Sequence, residues 1–237
     1  MSQRVKRGDP RLQVEDITYA GETGDISAHF ARPKGKEKLP GVLVISEIWG
    51  LVPHIEDVAR RAALEGFLAL APDPLSPLGG TPDDTDEAVK MMRGLDAEET
   101  TKNLVAAVEY LKTHPQSTGK VGVTGFCWGG GMTNQVAVST PDVQAAAPFY
   151  GRQPALEDVP KIKASVLAHY AEDDERINAG IPAFEEAMKK ASVEHEIHVY
   201  KGTKHGFYND TGQRYHEEAA KLAWGRTMAL FKKKLKT

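Results

Sequence analysis

The run Val42-Leu43-Val44-Ile45, between Gly41 and Ser46, is β-branched and apolar without polar alternation. A strand with one wet face alternates, so an unbroken run of this kind suits a strand buried on both faces. Helical spacing follows over about 54–65, Gly66 closes it, and a second apolar run occupies 67–71. That strand–helix–strand unit recurs. The spacing predicts a helix over 97–113, carrying Leu104, Val105, Val108 and Leu111, then a strand over 120–124 and a helix over 129–139. Further strands are predicted over 145–149, 164–169 and 196–200, with a helix between the last two and a closing helix over 213–235. The alternation predicts an α/β protein with a mostly parallel central sheet and helices on both faces. Two early segments, 13–19 and 26–32, flank a turn-rich stretch and predict an antiparallel pair at one edge. The 237 residues show no internal repeat and no low-complexity linker, which predicts one domain over 1–237.

With 30 Lys and Arg against 33 Asp and Glu, the formal charge is −3. No strongly basic face is implied, so nucleic acid is not an expected partner. Lys232, Lys233, Lys234 and Lys236 suit the negative end of a last helix. The first ten residues carry charge without the apolar run of about 7–15 residues that a secretory leader needs. No stretch approaches the ~18 apolar residues of a membrane span, so the expectation is a cytoplasmic protein without membrane association.

Cys127 is the sole cysteine, which excludes an internal disulfide and leaves a small core residue or a chemical thiol. Its setting, Gly125-Phe126-Cys127-Trp128-Gly129, fits GxCxG between a predicted strand and helix, the thiol form of the nucleophile elbow. Glycines let the chain turn sharply, and a sulfur at a helix N-terminus gains thiolate character from the backbone N–H groups there. The Trp128 N–H would point into the same space, where an oxyanion would develop.

A nucleophilic thiol needs a base, and the base an orienting acid. Of eight histidines, His29, His54, His114, His169, His195, His198 and His216 fall within predicted elements or at their ends and read as structural. His205 instead lies on a loop after a predicted strand and before the last helix. The acid comes from the consecutive Glu172, Asp173, Asp174 and Glu175, after the strand ending near Tyr170; spacing leaves the choice open. Nucleophile, acid and histidine then follow the chain order of α/β-hydrolases. No paired metal-ligand spacing appears, and neither a metal nor a cofactor is expected.

Four motifs in order carry a resemblance to the dienelactone hydrolase family of α/β-hydrolases, running from about Ile26 to the C-terminus. They are Ser46-Glu47-Ile48-Trp49-Gly50, Gly125-Phe126-Cys127-Trp128-Gly129-Gly130, Asp174-Glu175-Arg176-Ile177 and His205-Gly206-Phe207. The resemblance implies the α/β-hydrolase fold, Asp174 as the triad acid, and Glu47 as partner of the resting thiol. It also implies the N–H of Ile48 as second oxyanion donor beside that of Trp128. Family members acting on dienelactone hold its carboxylate with two arginines, one in the loop after the second buried strand and one four residues after the histidine. Here the second position is Asn209, and residues 72–86 hold no arginine. The implied activity is hydrolysis of a small ester or lactone by Cys127, His205 and Asp174 through a thioester. Trp49, Trp128, Phe207, Tyr208 and the 72–86 loop are candidate pocket segments, with core packing as the alternative for each aromatic.

Two other readings compete. Residues 124–131 also fit TGxxxGxG and Tyr200 to Lys204 fits YxxxK, both features of short-chain NAD(P)-dependent oxidoreductases. That glycine motif belongs after a domain's first strand, whereas here two buried strands precede it, and Gly202 and Thr203 disfavour the helix YxxxK needs. The other keeps the fold as a non-catalytic binding protein, which fold alone does not exclude. A redox sensor would lack a second cysteine to resolve the oxidised sulfur.

Overall fold

The apolar run at 41–46 becomes a strand whose residues from Pro40 to Ile45 are all buried, as a run without polar alternation requires. The computed structural model describes residues 4–35 and 37–236; residues 1–3 of the charged N-terminal stretch lie outside the described residues. The chain packs as two compact units, one of Arg4–Val121 and one from Gly122 onward.

In the first unit, β1 (Leu12–Gly21) and β2 (Gly24–Pro33) form the expected antiparallel pair, joined at Gly21 and Gly24. β3 (Leu39–Ile45) leads through α1 (Pro53–Leu64) to β4 (Leu68–Pro72), which pairs parallel with β3 and antiparallel with β2. The strand order is β1-β2-β4-β3, so the antiparallel pair lies at the edge. The stretch 72–86, expected to lack regular structure, holds a short 3₁₀ turn at Ser76–Leu78 and the start of α2 (Thr85–Arg93). Asp84 caps α2 by accepting the Glu87 N–H at 2.8 Å, and Asp86, Glu87, Lys90 and Arg93 complement its dipole. Asp84 and Asp86, the last aspartates of that proline- and glycine-rich stretch, are the cap and part of the first turn of a helix. α3 (Ala97–Thr113) has the expected bounds, set by Asp96, which accepts the N–H groups of Glu98 and Glu99 at 2.9 Å each.

β5 (Ser117–Phe126) crosses the boundary between the units. In the second unit α4 (Trp128–Ser139), β6 (Val143–Phe149) and β7 (Ser165–Asp173) follow, then α5 (Glu175–Asn178), α6 (Ile181–Lys190), β8 (His195–Lys204) and α7 (Glu217–Leu235). β6, β7 and β8 pair parallel in that order. The last helix begins four residues after the expected start, because His216 serves as its N-cap and accepts the Ala219 N–H at 3.3 Å. Among the described residues no helix is long and apolar enough to cross a membrane.

Candidate active site

At the end of β5 the backbone of Cys127 adopts φ 57°, ψ −113°, a region that a residue with a side chain rarely occupies. Two backbone hydrogen bonds hold it there. Its N–H donates to the Phe149 carbonyl at 3.0 Å, and its own carbonyl accepts the Gly131 N–H at 3.2 Å, starting α4. The turn closes so tightly that a Cβ on Gly125 would lie 2.2 Å from the Gly129 carbonyl oxygen and 2.8 Å from Thr133 Oγ1. Hydrogen is the only substituent that fits. The outcome is a half-buried cysteine at the N-terminus of a twelve-residue helix.

Asp174 and His205 come together through an irregularity in the sheet. β7 and β8 pair regularly up to Ala171 opposite Tyr200, after which Asp173 faces Lys204, so two residues of β7 span four of β8. Gly202, at φ 70°, takes up the extra length, and its N–H donates to Glu172 Oε2 at 2.8 Å. A bulge at a strand end re-aims the residues beyond it. Here Asp174 and His205 emerge side by side, with Oδ2 and Nδ1 2.5 Å apart.

The neighbouring carboxylates are engaged elsewhere: Glu172 binds the Gly202 amide, Asp173 lies 3.8 Å from Lys204 Nζ, and Glu175 is exposed at the start of α5. The four acids that spacing left equivalent are therefore separated by geometry. The Asp174 side chain is 8% exposed and that of His205 21%. An Nδ1–H donated to Asp174 leaves Nε2 as the proton-accepting nitrogen.

Behind His205 lies an aromatic wall. The Tyr150 ring sits 5.0 Å from the imidazole, and Phe207 meets Tyr150 edge-on at 5.4 Å. Tyr208 stacks on Phe126 at 4.7 Å, and both Phe207 and Tyr208 are buried. Packing among these rings is what the geometry displays for the two residues, while Trp128 is half-buried. Tyr150 escaped the sequence reading. It is another non-glycine residue at positive φ, 37°, and its N–H donates to the His169 carbonyl at 2.6 Å. Nothing in its residue type signals that conformation.

His169 is fully buried in β7. Its Nε2 meets Thr227 Oγ1 at 2.9 Å, and that hydroxyl donates to the Ala223 carbonyl, so Nε2 carries the proton. Nδ1 then accepts from Tyr200 Oη at 2.8 Å, and Arg226 donates to the same phenol oxygen at 3.1 Å. Burial pushes the His169 pKa well below the ordinary histidine value, reinforced by His198 and Arg226. Burial also raises the Tyr200 phenol and pushes Tyr170 up to about 12. Tyr200 and Lys204 both lie in β8, not on the helix that YxxxK requires, and the glycine motif begins at the end of the fifth strand rather than the first.

In the unit Arg4–Val121, Glu47 follows β3 and is buried, while Ile48 and Trp49 are half-buried. Their turn is closed by Gly50 N–H on the Glu47 carbonyl at 3.3 Å. Asn209, where the resemblance would place an arginine, is buried, and its Oδ1 accepts the N–H and hydroxyl of Thr211 at 2.9 and 2.6 Å.

Comparison with known proteins places these features in a lineage. A provisionally named carboxymethylenebutenolidase of Saccharolobus solfataricus is 32% identical over 92% of this chain and 98% of its own. One of Escherichia coli K12, named in the same way, is 32% identical over 92% of this chain and 87% of its own. Among solved structures, a provisionally named dienelactone hydrolase of Klebsiella pneumoniae superposes with a TM-score of 0.83 at 28% identity, covering 93% of this chain and 98% of that one. Acylaminoacyl peptidase of Pyrococcus horikoshii, at 16% identity and a TM-score of 0.74 over 96% of this chain and 42% of that one, shares the fold alone. The expected α/β-hydrolase fold is the fold found. The model of the dienelactone hydrolase family matches residues 26–235, nearly the span of the resemblance that the four motifs carry, and the chain belongs to that family.

Proposed function

We propose that this protein hydrolyses a small ester or lactone through Cys127, His205 and Asp174. Cys127 Sγ attacks the carbonyl carbon, and its proton passes to His205 Nε2. The oxyanion is held by the N–H groups of Trp128 and Ile48. Collapse of this intermediate expels the alcohol, which takes the proton from His205, and leaves a thioester on Cys127. His205 then draws a proton from water, hydroxide adds to the thioester, and the acid departs as the thiol is restored. Asp174 keeps the imidazole in the required tautomer throughout. Glu47 pairs with the resting thiol and governs when it ionises.

The observation that supports this most is the backbone of Cys127 at φ 57° on a turn too tight for any residue but glycine at position 125. Such strain costs of order 1–3 kcal/mol and persists where a function requires it. The hydrogen-bonded Asp174 and His205 supply the complementary pair. The relatives named as carboxymethylenebutenolidases support lactones among the substrates. Asn209 and the arginine-free stretch 72–86 favour substrates other than those recognised by a paired-arginine carboxylate clamp. We assign the activity to the cytoplasm, with a small molecule as partner and without a cofactor.

The test is turnover of p-nitrophenyl acetate and a lactone panel including dienelactone, by the wild type and Cys127→Ala, with NADH oxidation followed separately. Cysteine-dependent release of p-nitrophenol is the expected result. Full activity in Cys127→Ala would overturn the assignment.

A further inference from the structure

The stretch 72–86 contains a hydrogen-bonded clasp directed at the turn that carries Glu47, Ile48 and Trp49. Asp73 is buried at the end of β4, and its carboxylate accepts three donors: the Leu75 N–H at 3.0 Å, the Thr81 N–H at 2.8 Å and the Thr81 hydroxyl at 2.7 Å. Its backbone is tied to β2, since the Asp73 N–H donates to the Ser27 carbonyl at 2.8 Å. Ser76 Oγ bridges the same two residues, donating to the Asp73 carbonyl at 2.7 Å and accepting the Ser27 N–H at 2.9 Å. Asp73 is thus a fixed point on the sheet.

Thr81 transmits that fixed point to the turn. A hydroxyl has one proton and two acceptor sites. The proton goes to Asp73, which leaves the oxygen to accept the Leu51 N–H at 3.0 Å. The contact is close-packed as well as polar, because a Cβ built on Gly50 would lie 2.3 Å from Thr81 Oγ1. Two further bonds continue along the turn: Val52 N–H donates to the Gly50 carbonyl, in the peptide that carries the Leu51 N–H, and Gly50 N–H donates to the Glu47 carbonyl, in the peptide that carries the Ile48 N–H. Donors in series polarise one another, so the carboxylate of Asp73 strengthens the hold of Thr81 on Leu51.

From this geometry we infer that Thr81 and Asp73 are positioning residues for the Ile48 amide in the proposed hydrolysis. The inference rests on the cysteine-hydrolase reading given above. Oxyanion stabilisation depends on donors fixed before the charge develops, and small displacements weaken it steeply. In the proposed mechanism Thr81 has no step of its own; the bonds given above run to the backbone of the turn, so its effect is on the oxyanion donor. Thiol alkylation forms no oxyanion, so it separates this role from damage to Cys127.

The experiment uses the full chain with Thr81→Val, which keeps the shape and removes the hydroxyl, and Thr81→Ser, which restores it. Ester turnover, KM, iodoacetamide alkylation of Cys127 and melting temperature are measured for both. Thr81→Val is expected to lower kcat by about ten- to a hundredfold with KM within about twofold, since removing an oxyanion donor outright costs about 10²–10³. Alkylation should stay within about twofold of wild type, and Thr81→Ser should recover most of the turnover. Wild-type kcat in Thr81→Val overturns the inference. So does an equal loss in turnover and alkylation, or a Thr81→Ser protein as slow as Thr81→Val. Full activity in Cys127→Ala overturns the underlying hydrolase reading, whereas cysteine-dependent activity indifferent to Thr81 overturns the clasp alone.

Discussion

Asp174 Oδ2 lies 2.5 Å from His205 Nδ1, and the two residues are adjacent in space because β8 spends four residues where β7 spends two just before them. In a regular ladder Asp174 would run beside a residue of the strand. The bulge around Gly202 carries His205 to the carboxylate and leaves Nε2 as the ring's second nitrogen. A sharp prediction about the acids follows from that arrangement.

Asp174→Asn should lower ester turnover by about 10²–10⁴-fold, the range seen when a triad acid stops holding its histidine in the required tautomer. Glu172→Gln and Asp173→Asn, whose carboxylates bind the Gly202 amide and approach Lys204, should stay within about threefold of wild type. Steady-state kinetics on one p-nitrophenyl ester decides the matter. Equal losses in all three variants would refute the unique position of Asp174.

Strain at Cys127 is measurable as stability. Cys127→Ala keeps the Cβ in the positive-φ conformation, while Cys127→Gly removes it, relieving about 1–3 kcal/mol against a backbone-entropy cost of about 0.5–1 kcal/mol. The glycine variant should melt about 2–6 °C above the alanine variant, both being inactive. Identical melting temperatures would show that position 127 carries little strain.

The closeness of the turn is tested one residue before Phe126. A methyl on Gly125 meets backbone atoms, which cannot swing aside as a flexible side chain can. Gly125→Ala should therefore cost at least about 2–3 kcal/mol in urea unfolding, with turnover falling further than stability explains. A stable, fully active Gly125→Ala protein would contradict the geometry.

The buried His169 predicts a dependence of stability on acid. In the folded protein its pKa lies well below 6.5, whereas in the unfolded chain the imidazole takes up a proton near 6.5. Between those values the unfolded state binds more protons, so stability is fully present above about pH 6.5 and is lost as the pH falls. His29 and His114, whose pKa values burial also lowers, act in the same direction. His169→Gln should be less stable at pH 8 but show a shallower decline from pH 6.5 to 5, by up to about 1.4 kcal/mol per pH unit. Urea unfolding across that window checks it, and an unchanged slope would show that His169 does not contribute.

Much of the architecture is legible in residue order because apolar periodicity and capping act locally. Val42 to Ile45 has no polar residue in alternation and so demands cover on both faces; Asp96 supplies a cap that starts α3 where the spacing begins. Misreadings arose where one composition suits two structures. Asp84 and Asp86 read as loop, yet they are the cap and part of the first turn of α2. His216 read as a helical residue, yet its ring caps the helix it precedes.

For the site, residue types and chain order pointed to Cys127, His205 and a run of four acids. These follow from chemistry that requires a thiol on a tight turn and a base and an acid on loops after later strands. The choice among Glu172, Asp173, Asp174 and Glu175 lay beyond local pattern, and family likeness was needed to favour Asp174. In the folded chain a register shift between two strands far apart in sequence brings Asp174, of the four, to His205. The same holds for Tyr150 against His205 and for the span from Asp73 through Thr81 to Leu51. Periodicity records how each segment meets the core as a whole, but pairing between distant residues arises only when those segments pack, so the partners leave no mark in their own neighbourhoods.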